Sequence, residues 1–142
     1  MAEYNRGIKA GFWAGLIFGI INAIVTIVIF LSLTESTSGI GTTVQTYVIA
    51  GTFTSGIFSG IIGGIIFGMI YAAAYNKLPG STSITKAMML SIIYWLLFSV
   101  IFGYYTSIGR GMLVYGATLI LGFILYIFWG FLLGTFWEKY GT

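Results

Sequence analysis

Four apolar stretches govern what this chain can fold into. They run from about 8–33, 46–75, 84–105 and 112–137. Each is long enough to cross a hydrocarbon core of roughly 30 Å as a helix rising about 1.5 Å per residue. Inside a bilayer every backbone amide needs a partner, and a helix supplies one within its own segment. The expected fold is therefore all-α, an integral membrane bundle of four transmembrane helices, with residues 1–142 as a single transmembrane domain. The second stretch is too long to stand upright, so tilt or an interfacial first turn is expected. Pro79 lies between the second and third stretches, so no span should carry a proline kink.

Composition supports the same reading. Charged residues make up 6% of the chain and apolar ones 58%. A soluble domain carries roughly 25% charge. The first apolar run is longer than the core of a cleavable signal and lacks a cleavage site. It is expected to stay as a helix.

The basic residues set an orientation. Arg6, Lys9, Lys77, Lys86 and Lys139 fall on one side of the four spans, and Arg110 falls on the other. Lys and Arg in short loops mark the cytoplasmic face. Both termini are thus expected inside. Trp13, Tyr75, Trp137 and Tyr140 fit the inner interface, and Tyr47, Tyr104, Tyr105 and Tyr115 the outer one. The longest outer loop, around Glu35 to Thr43, reads as flexible and solvated.

The residue inventory excludes much chemistry. There is no His and no Cys. Disulfides, thiol redox chemistry, the usual zinc sites and His- or Cys-ligated haem are out of reach. No cofactor or metal is expected. Tyr and Ser remain, but no activating base stands near them in sequence, so no catalytic residue is assigned and an enzyme is not expected. The six basic residues form no patch for nucleic acid. Sparse Asn and Gln fit a thermophile.

Small residues recur every four positions. In the first span the row is Gly7, Gly11, Gly15, Gly19, Ala23; in the second it is Gly56, Gly60, Gly64, Gly68, Ala72. Ser55, Ser59 and Gly63 flank the second row. Residues four apart share a helix face. Lipid tails are as apolar as leucine, so helices associate in a bilayer through close packing, and small residues allow it. The two rows are expected to meet in an antiparallel glycine zipper. Anchoring the hairpin on Lys9 and Lys77 sets Gly15 near Gly68, Gly19 near Gly64, Gly11 near Ala72 and Ala23 near Gly60. Spans three and four carry a weaker version. Anchoring on Lys86 and Lys139 sets Ser91 near Gly134, Gly103 near Gly122, Trp95 against Gly130, and Tyr126 against Ser99.

Spans two and four share a pattern. Gly60, Gly68, Ala72, Tyr75 and Lys77 match Gly122, Gly130, Gly134, Trp137 and Lys139. A 2+2 internal repeat would explain this, as would coincidence in a glycine-rich chain.

Two polar residues are ligand candidates. Asn22 is the most polar side chain within a span and suits a solute or an ion, though an interhelical hydrogen bond of roughly 0.6–2 kcal/mol is the plainer role. Arg110, between Gly109 and Gly111, suits a phosphate or lipid headgroup, with an exposed turn the plainer role. No acidic residue lies inside a span. Coupled transporters usually keep ionisable groups there.

The stretch Tyr75-Asn76-Lys77-Leu78-Pro79-Gly80-Ser81-Thr82-Ser83, with Lys86 beyond it, resembles the central loop of uncharacterised small glycine-rich four-helix membrane proteins of prokaryotes, archaea included. That resemblance implies no function. Small multidrug transporters share the size and span number, but their first-helix carboxylate is missing. Fluoride channels share the size without their polar motif. The Tim-related translocase family is similar in architecture, without its charged loop.

Two functions follow as expectations. The first is a structural or accessory membrane subunit, acting through glycine-mediated packing against lipid and other subunits or as a homo-oligomer. A respiratory or transport complex, or an archaeal virus envelope, would suit it. The alternative is a channel or transporter for a small neutral or apolar solute.

Overall fold

A computed structural model describes residues 2–34, 42–107 and 112–141. The regular elements in it are helices, and no strand occurs among the described residues. They are α1 (Ala2–Thr34), α2 (Thr42–Ala74), α3 (Ser83–Trp95), a π-helical segment (Leu96–Phe102), α4 (Gly103–Ser107) and α5 (Met112–Lys139). Four spans, Glu3–Leu31, Gln45–Ala74, Ser83–Tyr105 and Tyr115–Lys139, are long and apolar enough to cross a membrane. The loop from Glu35 to Thr43 lies outside the described residues except for the start of α2, and Arg110 lies outside them altogether.

Local chemistry explains the one described connection. Pro79 has no N–H to continue a helix, and Gly80 turns the chain at φ 138°, where a side chain is strained. Thr82 then caps α3, its hydroxyl accepting from the Thr85 amide at 3.2 Å. Tyr71 and Tyr75 of α2 hold the start of α3. The Tyr71 hydroxyl donates to the Ser83 carbonyl at 2.5 Å, and the Tyr75 hydroxyl bonds the Ser83 hydroxyl at 2.9 Å.

The bundle is two hairpins. In the first, α1 lies on α2 through backbone. A methyl built on Gly60 would sit 2.6 Å from the Gly19 Cα, and one on Gly64 2.6 Å from the Gly15 Cα. Gly11 faces Gly64 and Gly68, Gly7 faces Gly68 and Ala72, and Gly56 faces Gly19 and Ala23. No side chain larger than a methyl separates the helices along this seam. Its stabilisation comes from many small dispersion contacts.

The seam runs one to two turns off the lysine-anchored register. Gly15 meets Gly60 and Gly64 rather than Gly68, Gly19 meets Gly56 and Gly60, Gly11 meets Gly64, and Ala23 meets Gly56. The second hairpin is shifted by about a turn in the same sense. Gly130 faces Ala87, Met88 and Ser91; Gly134 faces Ser83 and Ile84; Gly122 faces Trp95 and Ser99. Gly103 meets Tyr115 rather than Gly122. A lysine is a poor ruler, because its long stem lets the head reach water from a range of depths. Backbone contact decides the register instead.

The hairpins join through aromatic rings rather than glycine. Phe67, Tyr71, Trp129, Leu133 and Trp137 are buried between them. Phe67 stacks on Trp129 with centroids 4.3 Å apart, and Phe18 stacks on the same indole at 4.8 Å. At the end nearest the termini a four-layer stack forms. Arg6 lies 4.5 Å over Trp137, Trp137 stacks on Tyr75 at 5.1 Å, and Lys86 lies 4.2 Å from the Tyr75 centroid. Each cation also donates to the carbonyl beneath it: Arg6 Nε to Trp137 at 2.6 Å, Lys86 Nζ to Tyr75 at 3.0 Å. Both carbonyls sit at helix C-terminal ends, where orphan acceptors and the helix dipole favour a cation.

The third span holds a feature the sequence did not announce. Residues Leu96–Phe102 widen into a π-helix without proline or glycine. Widening disturbs the regular ladder, and side chains bond backbone carbonyls nearby. Tyr115 donates to the Val100 carbonyl at 2.8 Å, and Trp95 Nε1 to the Leu119 carbonyl at 3.2 Å.

Candidate functional site

Above the aromatic junction, toward the Thr34 end of α1, the helices part, and two cavities lie there among the described residues. The smaller, about 70 Å³, is lined by Phe18, Gly19 and Asn22 of α1, Gly56, Ser59 and Gly60 of α2, and Trp129 of α5. The larger, about 270 Å³, shares Phe18 and Asn22 with it. Its other polar lining comes from Thr26, Ser99 and Tyr126. The Tyr126 hydroxyl meets Ser99.

Physical causes for the opening can be named. Glycines on α1 and α2 leave the wall of the smaller cavity without side chains. The π segment rotates Ser99 relative to a regular helix, because each π turn takes up more residues than an α turn. Gly122 gives space opposite it, since a methyl there would sit 3.3 Å from the Ser99 hydroxyl.

The polar groups here are unevenly satisfied. Ser59 donates to the Gly56 carbonyl at 3.2 Å within its own helix. Asn22 accepts from the Thr26 hydroxyl at 2.8 Å, but through its backbone carbonyl. Trp129 is 5% exposed and its indole Nε1 has no hydrogen-bond partner. An unpaired buried donor costs roughly 1–3 kcal/mol. Among the described residues, no charged one lines either cavity. Among the described residues there is no group of three or more metal-ligating side chains.

Of the residues singled out from sequence, the structure brings Gly7, Gly11, Gly15, Gly19, Ala23, Gly56, Gly60, Gly64, Gly68 and Ala72 into one seam. It places Gly122, Gly130 and Gly134 against α3 and the π segment, and Gly103 against Tyr115. Asn22 sits where the two cavities adjoin. Sequence reasoning passed over Trp129 and the stacking of Arg6 and Lys86 on aromatic rings, and gave Ser59 only a place beside the second glycine row. Trp129 looked like one more apolar residue in an apolar span.

One face of α2 is left open. Gly51, Ser55 and Ser59 are exposed, and Gly63 has nothing within 4 Å of where a Cβ would be. These residues are four apart, one position before the row that meets α1. Ser55 and Ser59 bond carbonyls of their own helix, at 3.2 Å each. The face therefore presents small residues with satisfied hydroxyls.

No curated protein matches the chain, and no solved structure does. A family model matches residues 1–142, that of the family of unknown function DUF6789, and the chain belongs to that family.

Proposed function

We propose that this chain is a multi-pass membrane protein acting as a structural or accessory subunit, with the open α2 face as its docking surface. The carrying observation is that row of Gly51, Ser55, Ser59 and Gly63. The α1–α2 seam is already complete without it. An unused small-residue row is what a further helix needs for close approach in lipid. The rest of the surface suits acyl chains: Val28, Phe58, Ile62, Ile120 and Ile124 are all more than half exposed. The occupant is a helix of another membrane subunit or of a second copy. A cysteine at Ser59, in a chain with none of its own, should cross-link to a partner in native membranes. A cysteine at Ile120, on α5, should not. Equal yields at both positions would count against the docking face.

The basic residues support an inner placement of both termini. Cysteines at Ser38 and Thr82 test this with an impermeant thiol reagent on intact cells. Ser38→Cys should label and Thr82→Cys should not. The reverse pattern would invert the topology.

The chain also reads as a tandem of two related hairpins. The spans-two-and-four pattern extends to Phe67 with Trp129. A second constant offset relates α1 to the third span. Arg6, Gly7, Gly11, Leu16, Phe18, Gly19 and Ala23 match Lys86, Ala87, Ser91, Leu96, Phe98, Ser99 and Gly103. Under this match the Arg6–Trp137 contact is the equivalent of the Lys86–Tyr75 contact. The stacked pairs Phe67–Trp129 and Tyr75–Trp137 join equivalent residues, as expected of rings near a pseudo-two-fold axis.

The polar cavities are the observation that favours the alternative, a channel or transporter for a small neutral solute.

A further inference from the structure

The start of α1, the end of α2, the start of α3 and the end of α5 meet at one end of the bundle. Gly7 packs on Gly68 and Ala72 there, Arg6 reaches the Trp137 carbonyl, and Lys86 reaches the Tyr75 carbonyl. Every charged side chain among the described residues lies at this end. Arg6, Lys9, Lys77, Lys86 and Lys139 outnumber Glu3 and Glu138 by three positive charges. The ring stack holds Arg6 and Lys86 in place. Lys9 and Lys77 are exposed and have no hydrogen-bond or ion-pair partner among the described residues. Packing of the four helices gives no reason for them. Exposed Tyr4 and Trp13 flank Lys9 on α1, and such rings sit at headgroup depth.

We propose that this end of the bundle binds anionic phospholipid headgroups, with Lys9 and Lys77 as its exposed contact points. Charge complementarity carries the argument. Basic residues beside the bilayer are drawn to a negatively charged leaflet. Depth selects lipid over a free anion. Lys9 lies inside Glu3–Leu31, a helix long and apolar enough to span. Its ammonium therefore reaches the layer where headgroup phosphates are concentrated, by extending along its stem. A zwitterionic headgroup carries its own cation, which offsets its phosphate, so the excess of basic residues discriminates against it. The proposal rests on charge at this end alone. It does not depend on the α2 docking face, and either can fail without the other.

The test uses the full chain in phosphatidylcholine vesicles. Trace spin-labelled phosphatidylglycerol or phosphatidylcholine, with identical acyl chains, is the probe. The immobilised share of each label measures its association with the protein. One basic residue near a headgroup is worth about fivefold in affinity, and averaging over all lipid positions round the bundle leaves a preference for phosphatidylglycerol of about twofold or more. At about 1 M salt, where the screening length is about 3 Å, the preference should fall toward equality. Lys9→Gln/Lys77→Gln should lose most of it at low salt, and Glu3→Gln/Glu138→Gln should raise it. All four side chains are exposed, so melting in neutral detergent should match the wild type. Equal immobilisation of the two lipids by the wild type overturns the proposal. So does a preference that salt and both variants leave unchanged. Where the lysine variant does not fold, the wild type and the glutamate variant still decide.

Discussion

Gly64→Leu should prevent the first hairpin from closing, while Gly63→Leu, one residue away, should leave the fold intact. The two glycines are chemically identical and adjacent, so propensity and hydropathy cannot separate them. Geometry does. A methyl on Gly64 would overlap the Gly11 carbonyl oxygen and lie 2.6 Å from the Gly15 Cα. Both obstacles are backbone, and neither can swing aside. At Gly63 a Cβ meets nothing within 4 Å. Overpacking a close-fitted core costs about 1–3 kcal/mol, occasionally more. Here a leucine wedges apart a seam that involves glycines along both helices, so about 3 kcal/mol or more is expected. Thermal unfolding in mild detergent reads it. A melting temperature for Gly64→Leu as high as that for Gly63→Leu would show that the helices do not touch there.

Removing both cations from the four-layer stack should cost an amount that differs from the sum of removing each. Arg6→Gln leaves the Trp137 carbonyl without its charged donor and uncovers the indole. Lys86→Gln does the same at Tyr75. Hydrogen bonds to charged groups contribute about 1.5–3 kcal/mol, and partial exposure of both residues lowers this. About 1–2 kcal/mol for each single variant is expected. The rings between the cations stack on each other, so the two sites are coupled through contact. Arg6→Lys should retain most of the stability, since Lys86 already performs the equivalent task with an ammonium. Chemical or thermal unfolding of the four proteins measures the coupling. A large loss at one cation and none at the other would break the equivalence on which the tandem-hairpin reading rests.

These features were legible in the sequence to different degrees. The four helices followed from hydropathy, because a long run such as 46–75 has no soluble alternative. The small-residue rows followed from spacing alone. Their register did not, since Lys9 and Lys77 report depth too loosely to align Gly15 with Gly60. The proposed relation of α1 to the third span was hidden by substitution. Ala87, Ser91 and Ser99 stand for Gly7, Gly11 and Gly19, and a search for glycine misses them. Pairing Arg6 with Lys86 and Phe18 with Phe98 reveals it. The π segment leaves no mark in Leu96 to Phe102, which reads as ordinary apolar helix. The cavity was half visible. Asn22 stood out as polar, but Trp129 became notable only once its N–H was seen to lack an acceptor.

The docking role comes down to whether the open α2 face holds a partner. Native mass measurement in mild detergent, on the wild type and a Ser55→Leu/Gly63→Leu variant, asks this directly. Both substitutions point into open space, so the helices and their melting should be unchanged. The account predicts that the wild type carries a second copy or another subunit and that the variant loses it. An assembly of unchanged mass in the variant, or a wild type that is monomeric when taken from its native membrane, would contradict it.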